Sequence, residues 1–197
     1  MMHPDTRLQF ISPAVGHGVV ATKAIPAGTI VWAPDPLDRR LTAGEFAALP
    51  DLMKAEVEHF AYADQAGNRV LAWDRARYVN HSCAPSCVSG GYDCNVAAVD
   101  LAPGDELTDD YGSYLPVEMP CACGAPGCRG IISRARSAGL VAGWDARFIA
   151  VFPRIGQVPQ PLWDLVASGD RDGIAAALAG RSAVASIAGL IGTLYGD

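Results

Sequence analysis

Three cysteines stand close together in the middle of the chain and limit what that segment can form. They are Cys121, Cys123 and Cys128, in the pattern Cys-x-Cys-x4-Cys, and the glycine and proline residues between the last two permit a tight loop. Thiolates at this short spacing are the ligands that tetrahedral zinc takes in structural sites. The pattern therefore predicts a structural zinc site with three ligands from this loop and a fourth from elsewhere.

The cysteines are better explained as reduced thiols than as disulfides. Disulfide frameworks are typical of small secreted domains, whereas 197 residues, 50% of them hydrophobic, can bury a core without them. Cys87 and Cys94, outside the loop, are expected to be small buried thiols. No apolar run approaches the ~18 residues of a membrane span, and the first residues lack the pattern of a signal peptide. We expect a cytoplasmic protein without membrane association.

The charge of the chain argues against direct binding to nucleic acid. The formal net charge is −6, with 13 Arg and 2 Lys, and no basic cluster occurs. Four acidic residues that stand close together would instead favour a basic protein or peptide as ligand. They are Asp105, Glu106, Asp109 and Asp110. Solvated turn positions explain the first two at least equally well.

Short β-rich runs, separated by glycine and proline, dominate the first 115 residues. The predicted strands cover residues 18–21, 29–32, 69–73, 95–99 and 106–108. One helical insert interrupts them. Thr42 and Glu45 form a capping-box pattern that predicts a helix from Ala43, and a second helix is expected over residues 51–59.

Helical periodicity appears after the cysteine loop. Asp170 is expected to cap a helix over residues 173–178, and Ser182 to cap a final helix through Leu194. The proline-rich residues 153–161 are a plausible connector. No chemistry-bearing motif occurs in the last 40 residues, so we expect them to serve packing or partner docking.

Two further motifs precede the cysteine loop. Residues 77–83 read Arg-Tyr-Val-Asn-His-Ser-Cys, and residues 104–112 read Gly-Asp-Glu-Leu-Thr-Asp-Asp-Tyr-Gly. In this order, and together with the loop, they resemble the SET-domain protein lysine methyltransferases over about residues 16–132. Composition rich in Ala, Gly and Arg suggests a bacterial-type member, and the short N-terminal region a minimal one.

The resemblance implies a fold and a division of the chain. The expected fold is mainly β (β-rich α+β), with small curved sheets, a knot-like threading of the C-terminal part, a zinc-bound post-SET loop and C-terminal helices. The SET domain would occupy residues 5–115, the post-SET zinc tail 116–132 and a helical extension 133–197. The oligomeric state stays open.

The resemblance also implies a site for S-adenosylmethionine. The glycine-rich turn would hold its methionine end, and the Asn80 amide with the backbone near His81 would complete the pocket. The implied cofactor residues are Gly16, His17, Gly18, Tyr78, Asn80 and His81. For His81, a buried ring that satisfies neighbouring backbone groups is an equally good explanation. Cys83 is implied as the fourth zinc ligand, which makes the site closed and structural.

Methyl transfer to lysine requires alignment of donor and acceptor and a desolvated amine. By resemblance, Tyr111 is the catalytic tyrosine whose hydroxyl orients the attack. Asp109 departs from the family, which often has an aromatic residue there, and residues two apart on a strand face the same side. We therefore expect Asp109 in the lysine channel, where it would influence product multiplicity or substrate choice; alternatively the strand ends early and it faces water. Phe60 and Tyr62 are candidates for the channel wall or for core packing.

Two other functions are compatible with the sequence. One is a catalytically weak SET-like module that binds a partner through its helical tail. The other is a methyltransferase whose acceptor is a small amine instead of a protein lysine.

Overall fold

A computed structural model describes residues 1–64, 66–114, 118–133 and 139–195, with side chains up to residue 191. The strands in these ranges are β1 (Thr6–Ser12), β2 (Gly16–Ala21), β3 (Ile30–Trp32), β4 (Arg39–Leu41), β5 (Tyr62–Ala63), β6 (Arg69–Leu71), β7 (Asn80–His81), β8 (Cys87–Ser89), β9 (Asn95–Ala97), β10 (Glu106–Asp109), β11 (Met119–Pro120) and β12 (Ile131–Ile132). The α-helices are α1 (Ala43–Ala47), α2 (Asp51–Phe60), α3 (Val141–Val151), α4 (Ser168–Leu178) and α5 (Ala188–Tyr195).

The sheet that carries the candidate site has the strand order β1-β2-β10-β7. Strand β10 is antiparallel to β2 on one side, with Leu107 opposite Val19, and parallel to β7 on the other. In the parallel pair, Thr108 lies opposite Asn80 and Asp109 opposite His81. This register brings the Asn-His motif and the acidic motif side by side, although more than twenty residues separate them in the chain.

Three smaller sheets surround this one in the described residues. Their strand orders are β3-β9-β8, β4-β6-β5 and β11-β12. The pair β11-β12 joins the two ends of the cysteine loop, with Met119 opposite Ile132. The prediction of a mainly β fold of small sheets with C-terminal helices is confirmed.

The C-terminal helices pack into the core of the β-rich part. One cluster of buried side chains joins Ile30, Val88 and Val96 of the strands to Phe148 of α3 and Ile174 of α4. Complete burial of such a side chain stabilises a fold by about 1.5–3 kcal/mol. The proline-rich segment also contributes to this cluster, because its 3₁₀ turn Phe152–Gly156 buries Ile155. The segment is otherwise mostly exposed, so it is a connector that Ile155 anchors to the core. The division at residues 115 and 132 stays a prediction.

Local patterns predicted some helix ends and missed others. The capping box is present: Glu45 N donates to Thr42 Oγ1 at 3.2 Å, and Thr42 N to Glu45 Oε2 at 2.9 Å. Helix α4, however, begins at Ser168, before Asp170. Helix α5 begins at Ala188, because Ser186 Oγ and not Ser182 accepts from its first N–H.

Several elements had no prediction, among them β1, most of the two- and three-residue strands and helix α3. Strand β1 exposes its apolar Leu8 and Phe10, so its pattern lacks the usual alternation with a buried face. Helix α3 begins after Leu140, which offers no side-chain cap, so no capping pattern marks its start. In the part of the chain that the structure covers, no helix has the length and apolar character needed to cross a bilayer.

Candidate functional site

A cavity of about 710 Å³ opens between the β1-β2 turn, β7, β10 and the cysteine loop. Its size is within the range of sites for small molecules and cofactors. The predicted site residues that line it are Gly16, His17, Phe60, Tyr62, Tyr78, Asn80, His81, Asp109, Tyr111, Cys121 and Cys123. The structure therefore brings most residues of the cofactor and channel predictions to one concave surface.

The side-chain amide of Asn80 is fixed by two hydrogen bonds. Its Nδ2 donates to the carbonyl of His17 at 3.1 Å and to Oε1 of Glu106 at 2.7 Å, which connects β7 to β2 and β10. Gly18 lies beneath this contact, where a Cβ would be 2.3 Å from Glu106 Oε1. Gly18 is thus required for close packing and does not line the cavity. The positioning role of Glu106 was missed, since its place in an acidic run suggested a solvated charge.

His81 connects the turn after β10 to the cysteine cluster. Its Nδ1 accepts from the backbone N–H of Tyr111 at 3.1 Å, and its Nε2 lies 3.3 Å from Cys83 Sγ. Burial lowers the pKa of His81, although the nearby carboxylate of Asp110 opposes this. The neutral ring therefore bonds neighbouring groups of the fold, as the second explanation for this residue expects.

Tyr111 directs its hydroxyl at a backbone carbonyl. Its Oη donates to the oxygen of Val79 at 2.7 Å, within the wall of the cavity. Burial, reinforced by the charges of Asp109 and Glu106, raises the pKa of Tyr111 well above its usual range. The phenol consequently stays protonated near neutral pH. The Tyr111 hydroxyl and the Val79 carbonyl oxygen therefore meet in the cavity wall. These two groups can orient a reacting group, but neither of them is a base that could remove a proton from it.

Asp109 is the last residue of β10, and only 4% of it is exposed. Asn95 Nδ2 donates to its Oδ2 at 2.5 Å, and the backbone N–H of Asp110 donates to its Oδ1 at 2.7 Å. Burial raises the pKa of Asp109 to about 6. The strand does end before Tyr111, yet Asp109 faces the cavity and not water. Asn95 was not predicted, because no local pattern marks a partner on another strand.

Asp110 links three parts of the chain. It accepts from both terminal nitrogens of Arg129 and from Trp144 Nε1, the latter at 2.9 Å. Although burial favours its neutral form, the hydrogen bonds from Arg129 and Trp144 hold the pKa of Asp110 below its usual range. All four acidic residues in this run therefore have protein partners: side chains pair with Glu106, Asp109 and Asp110, and the backbone N–H of Ala102 donates to Asp105. Asp105 is exposed at a turn.

The predicted zinc ligands converge. Cys121 Sγ lies 3.8 Å from Cys83 Sγ and 3.5 Å from Cys128 Sγ, and the backbone N–H of Cys83 donates to Cys123 Sγ at 3.4 Å. Zinc–sulfur bonds of about 2.3 Å in a tetrahedron place the sulfur atoms about 3.8 Å apart. The thiols are free and not joined as disulfides. The donor set and its spacing thus fit zinc.

His81 is a second possible ligand at the same place. Its ring nitrogen and the sulfur atoms of Cys83, Cys121 and Cys123 lie within 4.8 Å of one another. The four-cysteine set and the set that includes His81 share three ligands, and they differ in whether Cys128 or His81 completes the tetrahedron. Cys87 and Cys94 are buried, as expected, and lie outside this cluster.

Comparison with known proteins assigns a family to this site. The sequence model of the SET domain matches residues 16–112. The chain contains a SET domain. The match spans the glycine-rich turn, the Asn-His motif and the strand that ends beside Tyr111, which form a large part of the cavity wall. The predicted resemblance is confirmed for this region.

Curated relatives of the SET domain are lysine methyltransferases. Over 76 residues the chain is 40% identical to histone-lysine N-methyltransferase trr of Drosophila melanogaster, covering 34% of this chain and 3% of that protein. It is 43% identical over 68 residues to an H3 lysine-4 specific enzyme of Schizosaccharomyces pombe, covering 29% and 7%. It is 30% identical over 122 residues to TRX1 of Oryza sativa, covering 57% of this chain and 11% of that protein. The chain thus spans only 3% to 11% of these relatives.

Two solved structures are similar to the SET domain and its surroundings. One is KRYPTONITE in complex with mCHG DNA and SAH, at 28% identity and a TM-score of 0.42, covering 64% of this chain and 30% of that one. The other is the methyltransferase domain of human SETMAR, at 18% identity and a TM-score of 0.44, covering 67% and 58%.

Proposed function

We propose that the protein is an S-adenosylmethionine-dependent methyltransferase that acts on a lysine side chain of a basic protein. The observation that carries this is the convergence of the Tyr111 hydroxyl and the Val79 carbonyl in a cavity that Gly16, His17 and Asn80 also line. The SET domain match and the names of the curated relatives, all histone-lysine N-methyltransferases, support the same reaction.

The residues present fit the cofactor. Gly16 has a φ of +75°, with open space around the position of a Cβ, so the backbone of the turn lies free at the cavity. Asn80 is fixed by two hydrogen bonds, and Tyr78 and His17 flank it in the lining. These residues would hold the cofactor. When bound, S-adenosylmethionine supplies a methyl group activated by a sulfonium charge.

The protein contributes positioning and exclusion of water. Tyr111 stays protonated and is held by Val79, so its oxygen is fixed where the amine and the methyl group would meet. Burial of a lysine side chain in this cavity lowers its pKa toward neutrality, which frees the lone pair without a protein base. Asp109 acts in the opposite direction, because a carboxylate stabilises the ammonium form.

We also propose that Cys83, Cys121, Cys123 and Cys128 hold a structural zinc ion. Four thiolates close the coordination sphere and leave no position for a catalytic water. Cys83 follows His81 by two residues, so the metal would fix the cysteine loop against the Asn-His motif. Zinc binding and closure of the cofactor site are thereby coupled.

The test combines cofactor binding with methyl transfer. The purified, zinc-loaded chain is titrated with S-adenosylmethionine by calorimetry, beside Asn80→Ala, and is then incubated with labelled donor and core histones or lysine-rich peptides. We expect saturable binding that Asn80→Ala weakens and transfer of label to lysine. Tyr111→Phe should retain cofactor binding, and its rate of methyl transfer should decrease by about 100-fold or more. This is the usual effect of removing one hydrogen-bond donor that stabilises a transition state.

Each other outcome has a definite meaning. Binding without transfer to any lysine would indicate a SET-like module that docks a partner. Transfer to free amines but not to peptides would indicate a small-molecule methyltransferase. Absence of binding in the folded chain would overturn the cofactor site.

A further inference from the structure

The segment after α4 is tied to the wall of the active-site cavity. The N–H of Gly91 donates to the carbonyl of Ala185 at 2.9 Å, and the N–H of Ala185 donates to the Tyr92 hydroxyl at 3.3 Å. The approach is close, since a Cβ on Gly91 would lie 2.6 Å from the Ala185 Cβ. This part of the C-terminal region is thus packed on the SET domain and is not a free tail.

Helix α3 fixes the direction in which α5 begins. Asp145 accepts from the backbone N–H of Ile187 at 2.9 Å and from the hydroxyl of Ser186 at 2.5 Å. The preceding residue of the same helix, Trp144, donates from Nε1 to Asp110, the residue before Tyr111. The start of α5 and the turn that carries Tyr111 are therefore positioned by neighbouring residues of one helix.

Ile187 and Leu190 face the cavity from this position. They are three residues apart in a helical turn, in which Leu190 N donates to the Ile187 carbonyl at 3.0 Å, so they share one face. Both line the cavity that also contains Asp109 and Tyr111, and Ile187 is only 2% exposed. Ile187 further borders a void of about 10 Å³ with Asp109. It thus packs at the end of the cavity where Asp109 lies.

We propose that Ile187 and Leu190 form the aliphatic wall of the acceptor channel and select an unbranched alkyl-ammonium side chain. This rests on the proposed function. The methylene stem of lysine is apolar and its head is charged, so a channel for it needs an aliphatic wall beside a polar end. Ile187 and Leu190 supply the wall, while Asp109 and Tyr111 supply the polar end.

The test separates acceptor binding from cofactor binding in Leu190→Ala. Steady-state kinetics with a lysine peptide give kcat and KM, and calorimetry gives the Kd of S-adenosylmethionine. We expect the acceptor KM to rise by roughly tenfold, the lower end for lost methylene contacts, with the cofactor Kd within about twofold. The matched control is Ile191→Ala, next on the same helix but outside the cavity lining, which should leave both constants unchanged.

Gly91→Ala is a second variant, at a residue beside the cavity wall that does not itself line the cavity. Its methyl group would displace the segment around Ala185, so it should raise the acceptor KM in the same direction while thermal unfolding shows a folded protein. An unchanged acceptor KM in Leu190→Ala, or an equal loss of cofactor affinity, would overturn the acceptor wall alone. Absence of methyl transfer by the unsubstituted chain would overturn the proposed function, and the wall with it.

Discussion

Asp110 accepts hydrogen bonds from Nη1 of Arg129 at 2.7 Å and from Nη2 at 2.5 Å. The two side chains are 5% and 19% exposed, so the pair lies largely out of water. Arg129 directly follows a cysteine of the proposed zinc site, and Asp110 directly precedes Tyr111. One ion pair thereby joins the cysteine loop to the turn that follows β10.

Replacement of this arginine should destabilise the fold strongly. Among the described residues, Arg129→Leu leaves the buried Asp110 carboxylate with Trp144 and the backbone N–H of Gly112 as its remaining donors. Loss of one partner of a buried pair costs about 3–5 kcal/mol, and we expect a decrease of this size in the free energy of unfolding in denaturant at pH 7.

The control is an ion pair of the same chemistry at the surface. Arg154 lies 2.9 Å from Asp100, with side chains 44% and 70% exposed. Arg154→Leu should change the free energy of unfolding by less than about 1 kcal/mol. Equal losses in the two variants would show that Arg129 does not stabilise the fold through a buried contact.

Asp109 should make stability depend on pH. Its pKa is raised from 3.8 to about 6 in the folded chain, so the folded protein holds this proton more tightly than the unfolded one. Stability therefore falls as pH rises through this window and is level above it. Asp109→Asn removes this pH dependence. Across the window, the free energy of unfolding of the variant should therefore increase relative to that of the parent by up to about 3 kcal/mol, at about 1.4 kcal/mol per pH unit.

The measurement is the free energy of unfolding of both proteins at pH 4 and pH 7. A constant difference at the two pH values would contradict the raised pKa, whatever its size, because a lost hydrogen bond gives an offset that does not depend on pH. Asp105→Asn, at an exposed turn, serves as the control and should show no such change.

Local motifs predicted the site residues whose neighbours in sequence are also their neighbours in space. Asn80, Tyr111 and the cysteine loop belong to such motifs, and the structure places all of them at or beside the cavity. Asn95 and Trp144 could not be found in this way, because each meets its carboxylate only after distant segments pair. Ser182 and Ser186 are equally good N-cap residues by sequence pattern, so the start of the last helix could not be predicted from the pattern alone.

Removal of one proposed zinc ligand should release the metal. We expect Cys83→Ser to lower zinc affinity by at least about tenfold, measured by metal analysis after dialysis. Mutation of residues that only hydrogen-bond to metal ligands already lowers metal affinity by about that factor. Cys94→Ala, at a buried thiol outside the cluster, should retain zinc. Full zinc content in Cys128→Ser together with loss in His81→Ala would identify the histidine as the fourth ligand.

Asp109→Phe tests whether this residue influences the number of methyl groups added. Phenylalanine occupies more space than aspartate in a buried position of the cavity wall, so we expect products to shift toward monomethyl-lysine, measured by mass spectrometry of the peptide. The substitution should also cost about 1–3 kcal/mol of stability through overpacking, so folding is checked by circular dichroism. Asp109→Asn keeps the size and removes the charge, and should change the rate but not the product distribution. Unchanged products in Asp109→Phe would exclude this role.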